Sequence, residues 1–316
     1  MKILLTGSSG FIGQHLTPRL EKEHTVYHLK SDLLEFDAVQ QEVDSIKPDI
    51  IVHLAARTEV ENSFYEQITF SQINYVGTVN LIEAASKIKN LKNFVFASTM
   101  EVYGWQPISD EVRDNIIPKR FIAFDENTQP NPNAPYAVAK YGCEKYLEYA
   151  HRSLGLPFTA IRQTNSYGRK DNDFFVTEQI ITQMIKNPDR IGLGYGEPYR
   201  NFIFIDDLLD AWYAVINNPS KVNDGYIFTI GPDNPIKIKD YVSMIADKID
   251  WNGEVVWDTK PIRPGEIYWL NSNHRLITSI TGWEPKVSLS DGLDYTINVW
   301  QNILGQQPIN KVIRLN

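Results

Sequence analysis

Cysteine is almost missing from this chain. Cys143 is the only one among 316 residues. An internal disulfide is therefore impossible, and a metal cluster held by thiolates is excluded. The six histidines are scattered, and no metal centre is expected from them. Positive charge is also short. With 31 basic and 39 acidic residues the formal net charge is −8, and no basic run exceeds a few residues. That excludes nucleic acid as the expected partner. An anionic ligand would need cations gathered locally. No apolar run approaches a membrane span, so no membrane partner is expected. The apolar start Met1-Lys2-Ile3-Leu4-Leu5 is broken by Gly7, Ser8, Ser9 and Gly10, too early for the core of a secretory leader. A cytoplasmic location is expected. Repeats and low-complexity tracts are absent as well.

What is present is alternation. Short apolar runs predict strands over Lys2–Thr6, Thr25–Lys30, Asp49–Ala55, Asn93–Ser98 and Phe158–Arg162. Helical spacing predicts helices over Phe11–Glu23, Phe36–Ile46, Ile68–Ile88 and Tyr136–Leu154. Strands alternating with helices of this length argue for an α/β fold with a doubly wound parallel sheet. After Arg162 the pattern loosens. Helices are predicted near Thr177–Lys186, Asp207–Val215 and Lys239–Ile249, between loops rich in Gly, Pro, Asn and Asp. The expected organisation is a nucleotide-binding domain over residues 1–162, taking in about 203–230. A smaller α/β substrate domain over 163–316 interleaves with it. Ligands bind in the crevice at the carboxyl ends of such a sheet. The polar stretch 105–124 reads either as a lid over that crevice or as a surface excursion.

Gly7-Ser8-Ser9-Gly10-Phe11-Ile12-Gly13 follows the first strand and opens the first helix. Three glycines at this spacing allow a tight turn and close approach of backbone to a pyrophosphate, with the helix start supplying N–H groups and a positive dipole end. Gly7, Ser9, Gly10, Phe11, Ile12 and Gly13 are the candidate phosphate cradle, and the domain reads as Rossmann-like. Tyr136 and Lys140 are four apart and share a helix face. A tyrosine is a poor base at neutral pH, and a nearby ammonium is expected to lower its pKa. Thr99-Met100-Glu101 ends the fourth strand. On an extended backbone residues 99 and 101 share a face and Met100 points away.

These segments resemble the extended short-chain dehydrogenase/reductase family, and within it the NAD-dependent nucleotide-sugar epimerases and dehydratases. Further stretches carry the resemblance: Asp32-Leu33, His53-Leu54-Ala55-Ala56, Asn74-Tyr75-Val76-Gly77-Thr78-Val79-Asn80-Leu81, Tyr136-Ala137-Val138-Ala139-Lys140 and Thr99 ahead of Val102-Tyr103-Gly104. Arg162-Gln163-Thr164-Asn165-Ser166-Tyr167-Gly168, Arg200-Asn201-Phe202 and Arg263-Pro264-Gly265-Glu266 extend it over nearly the whole chain. The resemblance implies bound NAD. Asp32 and Leu33 would contact adenine. Leu54, Ala55, Ala56, Asn74, Ala97, Tyr136 and Lys140 would line the rest of the cofactor. Thr99 would bridge the substrate hydroxyl and Tyr136. Asn165, Arg200 and Arg263 would hold the diphosphate of a nucleotide sugar. The usual assembly is a homodimer through the helix bearing Tyr136 and the long helix before it. Asp206 and Asp207 read as helix caps, Gly282-Trp283-Glu284-Pro285 as a packing turn, and Cys143 as core.

Two departures matter. Lys30 stands where an acidic residue usually binds the adenosine 2′-hydroxyl. A cation there suits a 2′-phosphate, which keeps NADP open, and a solvent-facing Lys30 is the equal alternative. The 4,6-dehydratases of the family carry Asp or Ser where Met100 stands. A thioether cannot donate a proton, so the expected reaction is 4-epimerisation. The alternatives are a dehydratase using Glu101 as base, a keto-sugar reductase with NADPH, and an inactive cofactor-binding sensor.

Overall fold

In the first strand, β1 (Lys2–Thr6), Ile3, Leu4 and Leu5 are wholly buried. Burial on both faces is what a strand at the centre of a parallel sheet requires. The structure is a computed structural model that describes residues 1–104 and 123–305. β1 is joined by β2 (Thr25–His28), β3 (Ile50–His53), β4 (Asn93–Thr99), β5 (Phe158–Gln163) and β10 (Asp224–Ile230) in one sheet of order β10-β5-β4-β3-β1-β2. Every neighbouring pair is parallel. The remaining strands form two-stranded ribbons. β6 (Asn165–Tyr167) pairs with β9 (Phe202–Phe204), β7 (Arg190–Gly192) with β12 (Glu254–Val256), and β8 (Tyr199–Arg200) with β11 (Ile236–Lys237).

The period of two divides the core. Leu4, Ile51, Phe94, Phe96, Phe158 and Ala160 face one apolar cluster. Ile3, Leu5, Ile50, Val52, Val95 and Ile161 face another. Each fully buried Phe or Ile contributes roughly 1.5–3 kcal/mol relative to exposure. Helices cover both faces: α1 (Phe11–Leu20), α2 (Phe36–Ile46), the short α3 (Val60–Ser63) and α4 (Gln67–Ser71), α5 (Gly77–Ser86) and α6 (Pro135–Leu154). Later in the chain come α7 (Val176–Lys186), α8 (Ile205–Asn217), the short α9 (Pro219–Val222), α10 (Ile238–Ile249), α11 (Arg275–Thr281) and α12 (Leu289–Ile303). Among the described residues no helix is long and apolar enough to cross a membrane.

Several elements differ from expectation. The helix predicted over Ile68–Ile88 is broken by a π-helical turn, Gln72–Val76, between α4 and α5. The widened turn seats Asn74, whose amide nitrogen donates to the Arg57 carbonyl (2.8 Å) and whose oxygen accepts from the Arg57 N–H (2.8 Å). Asp207 does not cap its own helix. Its carboxylate accepts the N–H groups of Lys286 and Val287 (2.9 Å each), while the Trp283 indole donates to its carbonyl at 3.0 Å. The Gly282–Pro285 turn is thereby tied to α8. Of the 105–124 stretch, residues 105–122 lie outside the described residues.

Candidate active site

The turn after β1 is shaped by glycine. Gly7 has φ +72°, and a Cβ there would come within 2.6 Å of the Ala55 nitrogen. A Cβ on Gly13 would lie 2.2 Å from the Gly7 carbonyl, so α1 can press against the turn only without one. Gly10 is different. A Cβ there would meet only the Gly7 oxygen, at 3.3 Å, a milder crowding than at the other two. No side chain caps the start of α1, and its first residues, Phe11, Ile12 and Gly13, line the cleft. A glycine turn opening an uncapped helix is the arrangement that suits a phosphate group.

Behind the cradle, the Thr6 hydroxyl accepts the Ala55 N–H at 3.2 Å and is linked to His53 Nδ1 at 2.7 Å. His53 Nε2 reaches the Thr78 hydroxyl at 2.8 Å. Burial pushes the His53 pKa down to about 3, so the ring is a neutral spacer that fixes the loop Leu54-Ala55-Ala56.

At the end of β4 three groups meet. Lys140 is buried; its ammonium donates to the Ala97 carbonyl at 2.9 Å and lies 4.7 Å from the Phe96 ring centre. Burial brings its pKa down to about 8. Tyr136, at the start of α6, is held above its ordinary pKa by burial first and then by the Glu101 charge, while a hydrogen bond with Thr99 acts the other way. The expected lowering by Lys140 is thus overridden, because Lys140 is turned to Ala97 and burial dominates. The extended backbone expected through Thr99-Met100-Glu101 also fails. β4 ends at Thr99, and Met100–Tyr103 is a 3₁₀ turn capped by the Thr99 hydroxyl, which accepts the Glu101 N–H at 3.1 Å. Glu101 enters the cleft because the chain turns. Burial raises its pKa, against the opposing charges of Arg200 and Arg263. Met100 is 1% exposed and packs with Val102, Tyr103, Phe124, Ile267, Trp269 and Leu270.

The cations that an acidic protein must gather are present, but they share an internal counter-ion. Arg200 donates to Glu266 at 2.6 Å, and Arg263 grips the same carboxylate at 2.9 and 2.8 Å. Burial raises the pKa of Glu266, but the two guanidiniums outweigh it and hold the group below its ordinary range. Arg263 keeps 31% of its side chain exposed, against 7% for Arg200.

Gly7, Ser9, Gly10, Phe11, Ile12, Gly13, Leu54, Ala55, Ala56, Ala97, Thr99, Glu101, Tyr136, Lys140, Asn165, Arg200 and Arg263 all line one cleft of about 870 Å³. Lys30, Asp32, Leu33 and Asn74 do not line it. Asn74 stands behind the cleft and holds Arg57. Asp32 turns its carboxylate to the Leu34 N–H (2.9 Å), the Leu33 carbonyl accepts from Asn80 (2.8 Å), and Lys30 is exposed at the end of β2.

Sequence reading missed two charged residues. Glu144, one turn beyond Lys140, is fully buried and accepts from Arg162 at 3.0 and 2.7 Å and from the Ser98 hydroxyl. Its signal is a carboxylate between the inward positions Cys143 and Leu147. Arg169 also lines the cleft, between the rings of Phe11 (4.1 Å) and Phe175 (3.9 Å) and beside Glu178. No pattern in the sequence marks it.

Comparison with known proteins gives a consistent picture. The sequence profile of the NAD dependent epimerase/dehydratase family matches residues 3–231. A putative UDP-glucose 4-epimerase of Methanocaldococcus jannaschii is 28% identical, covering 95% of this chain and 98% of its own. A dTDP-glucose 4,6-dehydratase of Escherichia coli is also 28% identical, covering 96% and 94%. The crystal structure of a UDP-glucuronic acid 4-epimerase from Bacillus cereus, in complex with UDP-glucuronic acid and NAD, superposes with a TM-score of 0.83 at 25% identity, covering 96% of this chain and all of that one.

Proposed function

Since the chain belongs to the NAD dependent epimerase/dehydratase family, we propose that this enzyme is a nucleotide-sugar 4-epimerase. It oxidises carbon 4 of the hexose transiently and returns the hydrogen to the opposite face. One observation carries the choice of reaction. Met100, between Thr99 and Glu101, lines the cleft from an apolar cluster, and its thioether has no proton to give a departing hydroxyl.

The residues fit NAD. Gly7, Ser9, Gly10, Phe11, Ile12 and Gly13 would hold the pyrophosphate, and Leu54, Ala55, Ala56, Ala97, Tyr136 and Lys140 the nicotinamide end. Bound there, NAD would supply reversible hydride acceptance for carbon 4 and a positive charge in the site. Thr99 orients the carbon-4 hydroxyl. Tyr136 takes its proton and later returns it. The phenol is protonated in the free chain because burial raises its pKa, so the phenolate forms only as cationic charge accumulates beside it. Lys140 supplies part of that charge below about pH 8. Asn165, Arg263 and Arg200 hold the diphosphate, with Glu266 fixing both guanidiniums.

A second reading has its own support. Glu101 lies in the cleft with a raised pKa, which suits a base that removes a carbon-bound proton, as a dehydratase needs. Incubation with a panel of UDP-, dTDP- and GDP-hexoses, read by mass spectrometry and sugar NMR, separates the two. Unchanged mass with carbon 4 inverted is expected. Loss of one water refutes the epimerase reading in favour of the dehydratase. A homodimer completes the proposal. Ile68 on α4 and Val138 and Tyr149 on α6 are exposed apolar residues on neighbouring helices. Light scattering on the eluted protein tests it, with twice the 36.3 kDa chain mass expected.

A further inference from the structure

We infer that Glu42 reserves the adenosine end of the site for an unphosphorylated ribose, so that the chain selects NAD over NADP. The inference rests on the reading of the cleft as a dinucleotide site. In a doubly wound sheet the chain leaving β2 runs beside the ribose of a dinucleotide whose pyrophosphate sits on the β1 turn. Here β2 hands over at Leu29, whose N–H still donates to the Leu5 carbonyl at 3.1 Å. The next two N–H groups turn elsewhere. Lys30 N donates to the two Glu42 carboxylate oxygens at 3.0 and 3.2 Å, and Ser31 N donates to one of them at 2.9 Å. The Ser31 hydroxyl donates to the same carboxylate at 2.6 Å.

Two successive backbone N–H groups and a hydroxyl converging on one anion form an anion-binding nest. They are also the donors through which a 2′-phosphate at this place would be held. Glu42, reaching back from α2, already occupies them. Burial works against its charge, but the Ser31 hydroxyl and the N–H groups of Lys30 and Ser31 outweigh burial and keep it ionised. Lys30 also acts on Glu42 electrostatically, so the pair presents no net positive charge. A 2′-phosphate carries −1.5 to −2 at neutral pH, by analogy with other phosphomonoesters. It would find its donors taken and a carboxylate behind them. A 2′-hydroxyl meets neither obstacle. The cation that reads as favouring NADP in the sequence lies, in the fold, within electrostatic reach of Glu42.

The test is binding, not turnover. The chain, freed of bound nucleotide, is titrated with NADH and NADPH by nucleotide fluorescence at fixed salt. NADH is expected to bind tighter by roughly tenfold or more, the scale of one charge-assisted contact. Glu42→Ala should narrow that ratio by about tenfold, chiefly by strengthening NADPH, and Glu42→Gln should act in the same direction. Adding Lys30→Ala to Glu42→Ala should weaken NADPH again and leave NADH unchanged. Melting curves of each variant establish that it is folded. Equal affinity of the unaltered chain for the two nucleotides overturns the inference. So does a ratio that neither Glu42 variant changes. Failure of both nucleotides to bind the unaltered chain overturns the dinucleotide reading itself.

Discussion

Removing the carboxylate of Glu144 would test how the end of β4 is held. Glu144→Ala deletes two charge-assisted bonds from Arg162 and one from Ser98. Arg162 would keep the Tyr103 hydroxyl at 2.9 Å and the face of that ring at 4.9 Å. Its guanidinium, only 4% exposed, would lose its counter-ion. Burial pulls the Arg162 pKa down, while Glu144 first and Tyr103 after it hold it up; without Glu144 the larger support is lost. An uncompensated buried charge costs about 3–5 kcal/mol. That is a large part of the 5–15 kcal/mol that typically separates folded from unfolded domains. The expected loss in Glu144→Ala, measured by urea unfolding, is therefore about 3–5 kcal/mol. The double variant Glu144→Gln with Arg162→Met removes both charges and should lose markedly less than the sum of the single variants. A second readout follows from position. Ser98 sits between Ala97, which accepts the Lys140 ammonium, and Thr99. Slack here should lower kcat more than it raises KM in the double variant. A loss below about 1 kcal/mol in Glu144→Ala, or strict additivity in the double variant, would refute the reasoning.

Other outcomes follow from the same geometry. Tyr136→Phe should lower turnover by about 10²–10⁴-fold, the usual worth of a positioned acid–base group, with NADH affinity nearly unchanged by fluorescence titration. Met100→Leu should keep turnover and cost under about 1.5 kcal/mol, because the thioether acts as filler. Met100→Asp should destabilise by about 3 kcal/mol or more, through lost packing and a buried carboxyl, in thermal melts. His53 is neutral in the fold down to about pH 3, whereas an unfolded histidine takes a proton below about 6.5. Acid therefore favours the unfolded state, and stability should fall as pH drops from about 6.5 towards 3, by a few kcal/mol in total. His53→Gln should flatten that part of the pH–stability curve.

Much of this was legible before any coordinates. The first five strands are short apolar runs, and the glycine spacing of the first turn has a steric cause that the fold repeats. Tyr136 and Lys140 reach the same cleft because a helix places residues four apart on one face. What stayed hidden was set by which partner each group takes in the fold. Nothing near Lys30 announces that Glu42 will take its N–H. Nothing in Arg200 or Arg263 announces that Glu266 will sit between them. The 3₁₀ turn at Met100 depends on a cap from Thr99, and a side chain that also reads as catalytic gives no separate sign of that use. The π turn around Asn74 is invisible to a periodicity argument, because one widened turn hardly disturbs the apolar spacing of α5.

The sixth strand of the sheet carries a consequence for how the chain becomes a protein. β10 closes the edge beside β5, yet the whole excursion through β6, α7, β7, β8, β9, α8 and α9 lies between the two in sequence. The family profile ends at residue 231, one residue after β10. A nascent chain must therefore emerge past Ile230 before the nucleotide-binding sheet is complete. Until then β5 presents an open, apolar edge in Phe158, Ala160 and Ile161. Such an edge invites pairing with other chains. A fragment cut at residue 162 should accordingly aggregate, while one extending through 231 retains every strand the sheet needs.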